Sequence, residues 1–179
     1  MLNLQKPIIF VTENFNIYTK MKTLYVLRHA RAKFSDNGDK NRPLSYDGEL
    51  EAHKLGKELK ARKVNFNHII TSTAKRALQT TDIICHEIAN GVAIEFNDNF
   101  YTCTTGEAIE ILNKTNENID SLLVVGHNPQ WSNLVNVLSG NDRVYLDTCN
   151  FVALNFDYNW QQLQPNCCTI DYIILPRYI

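Results

Sequence analysis

The chain has 179 residues, 44% of them hydrophobic and 21% charged, which is typical of one globular domain with a buried core. The formal net charge is −1 and no apolar run reaches the roughly 20 residues of a membrane helix, so neither nucleic acid nor a membrane is indicated as a partner. The charge is nevertheless segregated, because residues 1–76 carry 15 of the 18 basic side chains and only 7 of the 19 acidic ones. Such segregation is typical of a nucleic-acid face or an anion pocket, unless folding mixes the two halves.

Residues 1–20 differ from the rest of the chain, since the short apolar run from Ile8 to Val11 is followed by polar residues without a helical period. We predict an N-terminal extension of unassigned role over 1–20 and one domain over 21–179, with Met21 as the hypothetical natural start. The apolar run is too short for a signal peptide, and the five cysteines form no CxxC pair. Both observations predict a cytoplasmic protein with reduced thiols.

From Thr23 onward, strand and helix patterns alternate regularly. Apolar, β-branched runs predict strands, and apolar residues at helical spacing behind Ser or Thr caps predict helices. In chain order, the patterns predict a strand over 23–27, a helix over 46–62, a strand over 68–71, a helix from Ser72 or Thr73 to 89, a strand over 93–96, a helix over 106–117 capped by Thr105, a strand over 121–125, a helix over 130–139, and strands over 151–156 and 169–175. This order predicts an α/β fold, a three-layer α/β/α sandwich around a mostly parallel central sheet.

Two of the predicted buried strands are each followed by a histidine. His29 comes after the first strand, directly behind Arg28, and His127 comes after the fourth. Ligands in open α/β sheets bind outside the carboxyl ends of the strands, so both imidazoles are expected at one site. Arg76, in the first turn of the helix after the second strand, and Arg42, before a proline, are expected at the same edge.

These residue types suit phosphoryl transfer. The arginine fork matches phosphate oxygens bidentately, and a neutral imidazole can attack phosphorus. A second histidine can donate to the phosphoryl oxygens, where charge accumulates in the transition state. Because arginine supplies the positive charge, the arrangement requires no metal, and no cofactor is expected.

Several segments together resemble one known family. The three that carry the resemblance are Leu27-Arg28-His29-Ala30, the run from Ser72 to Thr80, and Val124-Val125-Gly126-His127-Asn128-Pro129. They resemble the signature of the histidine phosphatase superfamily, which has the phosphoglycerate mutase-like fold. Further features resemble its short SixA-type phosphohistidine phosphatases, and these are Asp39 to Ser45 with Gly48, Phe100-Tyr101, Thr148, Trp160 and Pro176-Arg177. The resemblance extends from about residue 22 to residue 177.

The resemblance implies roles for individual positions. His29 is similar to the nucleophile that becomes phosphorylated, and Arg28, Arg76 and His127 are similar to the phosphate pocket. Arg42 is assigned to the rim of that pocket or to the substrate side. As a departure from the pattern, Ser35 stands where larger members often carry an asparagine.

A second departure concerns the leaving group. Larger members carry a carboxylic acid after the second helix, which protonates a leaving alkoxide. The matching stretch, 99–107, has no acid at the expected place, although Asp98 and Glu107 lie close to it in sequence. An alkoxide benefits from such a general acid, whereas the imidazole of phosphohistidine can be protonated by solvent near neutral pH. The gap therefore favours a P–N bond over a sugar phosphate.

The sequence thus predicts a metal-independent phosphatase with a phosphohistidine enzyme intermediate. The predicted substrate is phosphohistidine on a protein such as a phosphotransfer domain. One alternative is a small-molecule phosphomonoesterase or phosphoramidase of the same fold, and another is a non-catalytic module that holds a phosphorylated partner. Binding of nucleic acid through the basic half is a further alternative, but no nucleic-acid motif accompanies it.

Overall fold

The computed structural model describes residues 20–88 and 91–179, so 1–19 of the predicted N-terminal extension lie outside the described residues. The strands are β1 (Lys22–Arg28), β2 (His68–Ser72), β3 (Ile94–Asn97), β4 (Ser121–Gly126), β5 (Phe151–Phe156) and β6 (Thr169–Ile174). The helices are α1 (Tyr46–Ala61), α2 (Lys75–Ile88), α3 (Thr105–Leu112) and α4 (Gln130–Ser139). Among these helices, none is long and apolar enough to cross a bilayer.

The six strands form one sheet in the order β3-β2-β4-β1-β5-β6. Strands β1 to β4 are parallel to one another, and β5 pairs antiparallel with both β1 and β6. Helices α1 and α2 pack on one face of the sheet, and α3 and α4 on the other. The predicted three-layer α/β/α sandwich with a mostly parallel sheet is confirmed.

The centre of the sheet is apolar on both faces. Along β4, Leu122 and Val124 join the core under α3 and α4, whereas Leu123 and Val125 join the core under α1 and α2. All four side chains are fully buried, and each contributes about 1.5–3 kcal/mol through removal from water. This double burial explains why the strand is a continuous apolar run rather than an alternating one.

The start of α1 fixes the loop that follows β1. Ser45 caps the helix, since its hydroxyl accepts a hydrogen bond of 3.1 Å from the Gly48 amide. A Cβ at Gly48 would lie 2.1 Å from the Arg31 carbonyl oxygen, so only glycine allows this close approach. The loop from β1 therefore lies directly against the first turn of α1.

The α3 prediction needs correction at both ends. Thr104, not Thr105, caps the helix, and it forms a capping box with Glu107. The helix ends at Leu112, five residues before the predicted end at residue 117. Beyond it, the Lys114 and Thr115 amides donate to carbonyls only three residues back, so the last turn tightens and the α-helix stops.

The junction between β4 and α4 is tightly packed. A Cβ at Gly126 would lie 2.6 Å from the Trp131 ring, which is fully buried. The Trp131 indole donates a hydrogen bond of 3.3 Å to the Val124 carbonyl. These contacts hold His127, which directly follows Gly126, at the carboxyl edge of the sheet.

Candidate active site

The carboxyl ends of three adjacent central strands meet at one point. His29 follows β1, His127 follows β4, and Ser72 ends β2 just before Arg76. The ring centroids of the two histidines lie 4.8 Å apart, and both side chains are buried. Of the five residues that the sequence places at this edge, the structure brings His29, His127 and Arg76 into contact, with Arg28 at the end of β1 and Arg42 close enough to act on the charge of His29.

The contacts of His29 define which ring nitrogen carries the proton. Its Nδ1 lies 2.7 Å from the Ala30 carbonyl oxygen, which can only accept, so Nδ1 is protonated. Its Nε2 accepts a hydrogen bond of 3.1 Å from Nε of Arg76. The lone pair of Nε2 therefore faces the arginine-lined side of the pocket.

Burial and neighbouring charge keep both imidazoles neutral. Burial, with the positive charges of Arg76, Arg28 and Arg42, lowers the pKa of His29 to about 4, although the hydrogen bond to the Ala30 carbonyl opposes this shift. The pKa of His127 falls to about 3, chiefly through burial and then through repulsion from His29 and Arg76. Near neutral pH, His29 therefore presents an unprotonated nitrogen.

His127 and Arg28 each make one side-chain hydrogen bond and each have one buried nitrogen that is unpaired among the described residues. The Nε2 of His127 lies 2.8 Å from the Ser72 hydroxyl, and one terminal nitrogen of Arg28 donates to the Leu146 carbonyl at 2.8 Å. Nδ1 of His127 and Nε of Arg28 are buried and have no hydrogen-bond partner within the described parts of the chain. Buried polar atoms are rarely unpaired, and these two belong to residues at the carboxyl ends of β1 and β4, where the two histidines meet.

Arg42 and Arg76 meet on one carboxylate. Arg42 donates to Oδ1 of Asp39 at 3.0 Å, and Arg76 donates to Oδ2 at 3.0 Å. The Tyr101 hydroxyl donates to the same Oδ2 at 2.8 Å, and the edge of its ring faces His127 at 5.6 Å between centroids. Arg42 is thus joined to Arg76 through Asp39.

The sequence alone assigns no site role to Asp39, Tyr101 or Ser72. All three lie in segments that resemble the family, and Ser72 is also a possible helix cap. The available sequence signal was the position of Asp39 three residues before Arg42 and of Tyr101 after Phe100. The hydrogen bond to Arg42, then those to Tyr101 and Arg76, hold the pKa of Asp39 well below its usual range, so its carboxylate is ionised.

The two acids that flank the expected general-acid position have other partners. Asp98 accepts hydrogen bonds from Lys40 and from the Thr73 hydroxyl. Glu107 completes the capping box with Thr104. In residues 20–88 and 91–179, no three His, Cys, Asp or Glu side chains are grouped in a way that could hold a metal ion.

A model of the histidine phosphatase superfamily, branch 1, matches residues 24–117. The chain belongs to the histidine phosphatase superfamily. An uncharacterised protein of Mycobacterium tuberculosis (strain H37Rv) is 31% identical over 162 residues, which cover 84% of this chain and 100% of that protein. The phosphohistidine phosphatase SixA of Escherichia coli (strain K12) is 26% identical over 147 residues, which cover 77% of this chain and 91% of SixA.

Solved structures of the histidine phosphatase superfamily share the fold. A structure of the protein histidine phosphatase SixA complexed with tungstate matches with a TM-score of 0.77 at 24% identity. The match covers 87% of this chain and 98% of that one. The predicted relation to the phosphoglycerate mutase-like fold and to its SixA-type members is confirmed.

In this member of the histidine phosphatase superfamily, the His29 ring is expected to titrate at about pH 4, below its ordinary value of 6.5. Because the folded pKa is the lower one, the unfolded chain binds more protons between these values, and the free energy of unfolding falls as the pH drops through that window. An NMR titration of the His29 ring checks the midpoint. A midpoint near 6.5 would contradict the effect assigned to burial and the arginines.

Proposed function

We propose that the protein is a metal-independent phosphatase that forms a phosphohistidine intermediate on His29 and acts on phosphohistidine carried by a protein. The observation that carries this proposal is the orientation of His29. Its protonated Nδ1 is held by the Ala30 carbonyl, and its unprotonated Nε2 lies beside Arg76. Family membership supports the broader conclusion that the protein is a phosphatase.

In the proposed first step, the substrate phosphoryl group binds among Arg28, Arg76 and His127. Nε2 of His29 attacks phosphorus, the P–N bond of the substrate breaks, and its electron pair returns to the leaving ring nitrogen. Arg76 transfers its hydrogen bond from Nε2 to a phosphoryl oxygen, and the arginines and His127 stabilise the charge that spreads over these oxygens. Water then attacks phosphorus, and release of phosphate restores the Nε2 lone pair.

The acids around the pocket support an imidazole leaving group. Asp39 is ionised and cannot act as a proton donor, while Asp98 and Glu107 are bonded elsewhere. An alkoxide leaving group would need such a donor, whereas the imidazole of phosphohistidine can take its proton from solvent. We propose a phosphorylated protein, such as a phosphotransfer domain, as the partner. The five free cysteines support a cytoplasmic location.

A substrate panel tests the proposal. Phosphate release is measured from a phosphohistidine-bearing phosphotransfer protein, from phosphoramidate and from a sugar phosphate. We expect the highest kcat/KM with the phosphoprotein. The highest kcat/KM with the sugar phosphate would instead identify a small-molecule phosphomonoesterase, and tight binding of the phosphoprotein without turnover would identify a non-catalytic module.

A further inference from the structure

One ionised carboxylate, that of Asp39, lies beside the arginines and the neutral histidines of the proposed site. Asp39 is in the loop after β1, and its side chain is 52% exposed. A carboxylate beside a phosphate site repels the substrate dianion, so its presence there calls for an explanation. Holding Arg42 and Arg76 in place is one explanation, and contact with the substrate is another.

The carboxylate of Asp39 has spare hydrogen-bonding capacity. An ionised carboxylate offers about four lone-pair positions. Three are taken, one on Oδ1 by Arg42 and two on Oδ2 by Arg76 and Tyr101. A position on Oδ1 therefore remains for a further donor, and the half-exposed side chain leaves that oxygen accessible. Because these same partners keep the pKa of the carboxyl low, Asp39 accepts hydrogen bonds and does not donate one.

We propose that Asp39 determines specificity for phosphohistidine over phosphate esters by accepting a hydrogen bond from the protonated ring of the leaving imidazole. This inference rests on the proposed function, and it assigns recognition of the leaving imidazole to the Asp39 carboxylate. The donor is the nitrogen of the substrate ring that is not bonded to phosphorus.

The chemistry of the two leaving groups differs at this nitrogen. In phosphohistidine the free ring nitrogen takes a proton near neutral pH, which makes the ring cationic. When His29 attacks, the electron pair of the P–N bond returns to the ring, and the ring leaves as a neutral imidazole that keeps this proton. A nearby carboxylate favours the cationic form and so increases the reactive fraction of bound substrate. A leaving alkoxide has no such proton, and the carboxylate repels its developing negative charge.

The test compares Asp39→Asn with the wild-type chain on two substrates, a phosphohistidine protein and a phosphoserine ester. Asparagine keeps the size of the side chain but removes the charge. We expect the ratio of kcat/KM, phosphohistidine over ester, to fall by about tenfold, the effect of one hydrogen bond to a charged group. The pH dependence of kcat reports the groups that titrate in the enzyme–substrate complex. Because the bound substrate ring would lose its proton more easily without the carboxylate, we also expect the fall of kcat for phosphohistidine at alkaline pH to begin at a lower pH.

The matched control is Asp36→Asn, which removes an exposed carboxylate from the same loop and is expected to leave the ratio unchanged. If Asp39 only positions the arginines, Asp39→Asn lowers kcat/KM equally for both substrates and leaves the pH dependence of kcat unchanged. This result overturns the inference. If the wild-type chain hydrolyses the ester but not phosphohistidine, the proposed function itself fails, and the inference fails with it.

Discussion

Replacing His29 with alanine is expected to lower kcat/KM for phosphohistidine by on the order of 10⁴-fold or more, as is usual when a nucleophile is removed. The neighbouring imidazole, His127, lies beside His29, but its Nε2 is bonded to the Ser72 hydroxyl at 2.8 Å rather than to Arg76. Phosphate release is measured with the phosphohistidine protein, and quenching in alkaline denaturant during turnover, which preserves the P–N bond, measures phosphate bound to the enzyme. The wild-type chain should retain acid-labile label on His29, and His29→Ala should retain none.

His53→Ala is the matched control for this loss. His53 lies on α1, and its Nδ1 is 2.7 Å from a carboxylate oxygen of Glu87 near the end of α2, so it belongs to a different part of the protein. Its replacement should leave both turnover and labelling at the wild-type level. Full turnover by His29→Ala, or label trapped on another residue, would contradict the assignment of His29 as the nucleophile.

Replacing Arg76 with alanine is expected to lower kcat/KM by on the order of 10³-fold, the range seen when a group that stabilises transition-state charge is removed. Arg76 donates hydrogen bonds to Nε2 of His29, the nitrogen proposed to attack, and to the carboxylate of Asp39. Its loss therefore affects both the orientation of the His29 ring and the positive charge beside it. Arg76→Lys keeps the charge but not the fork, and we expect an intermediate loss. Steady-state rates on the phosphohistidine protein measure both effects.

Folding must be checked separately, because Arg76 is buried and Arg76→Ala leaves Asp39 with fewer partners. Urea unfolding of each variant gives the free energy of unfolding, and Arg76→Lys provides a variant that keeps the charge. Arg62→Ala removes an exposed arginine that pairs with Glu58 on α1, and it should leave the rates unchanged. An Arg76→Ala variant that is folded and fully active would exclude Arg76 from the phosphate pocket.

Most of the fold follows from local patterns in the sequence. The limits of α4 and β5 agree with the pattern, since α4 buries apolar residues at helical spacing and β5 is a short apolar run that is almost wholly buried. The end of α3 does not follow, because polar residues 113–117 are compatible with either a helix or a turn. There the hydrogen bonds of the last turn decide the outcome, and periodicity does not report them.

The residues of the site that follow strand ends could be predicted from the sequence. The residues that reach the site through contacts between distant segments could not. His29 and His127 end adjacent strands, and the α/β pattern alone brings them together. The bonds from Asp39 to Arg76 and to Tyr101 span 37 and 62 residues. No local pattern encodes such a contact, and the Ser72 hydroxyl beside His127 is a further example.

The two parts of the pocket are attached to the protein in different ways. Backbone pairing between β1 and β4, in which Arg28 lies opposite Gly126, fixes the positions of His29 and His127. Asp39 and Arg42 lie in a connecting loop that side-chain hydrogen bonds tie to the pocket. Substitutions in this loop can therefore alter the leaving group that is accepted without displacing the histidine proposed to attack phosphorus.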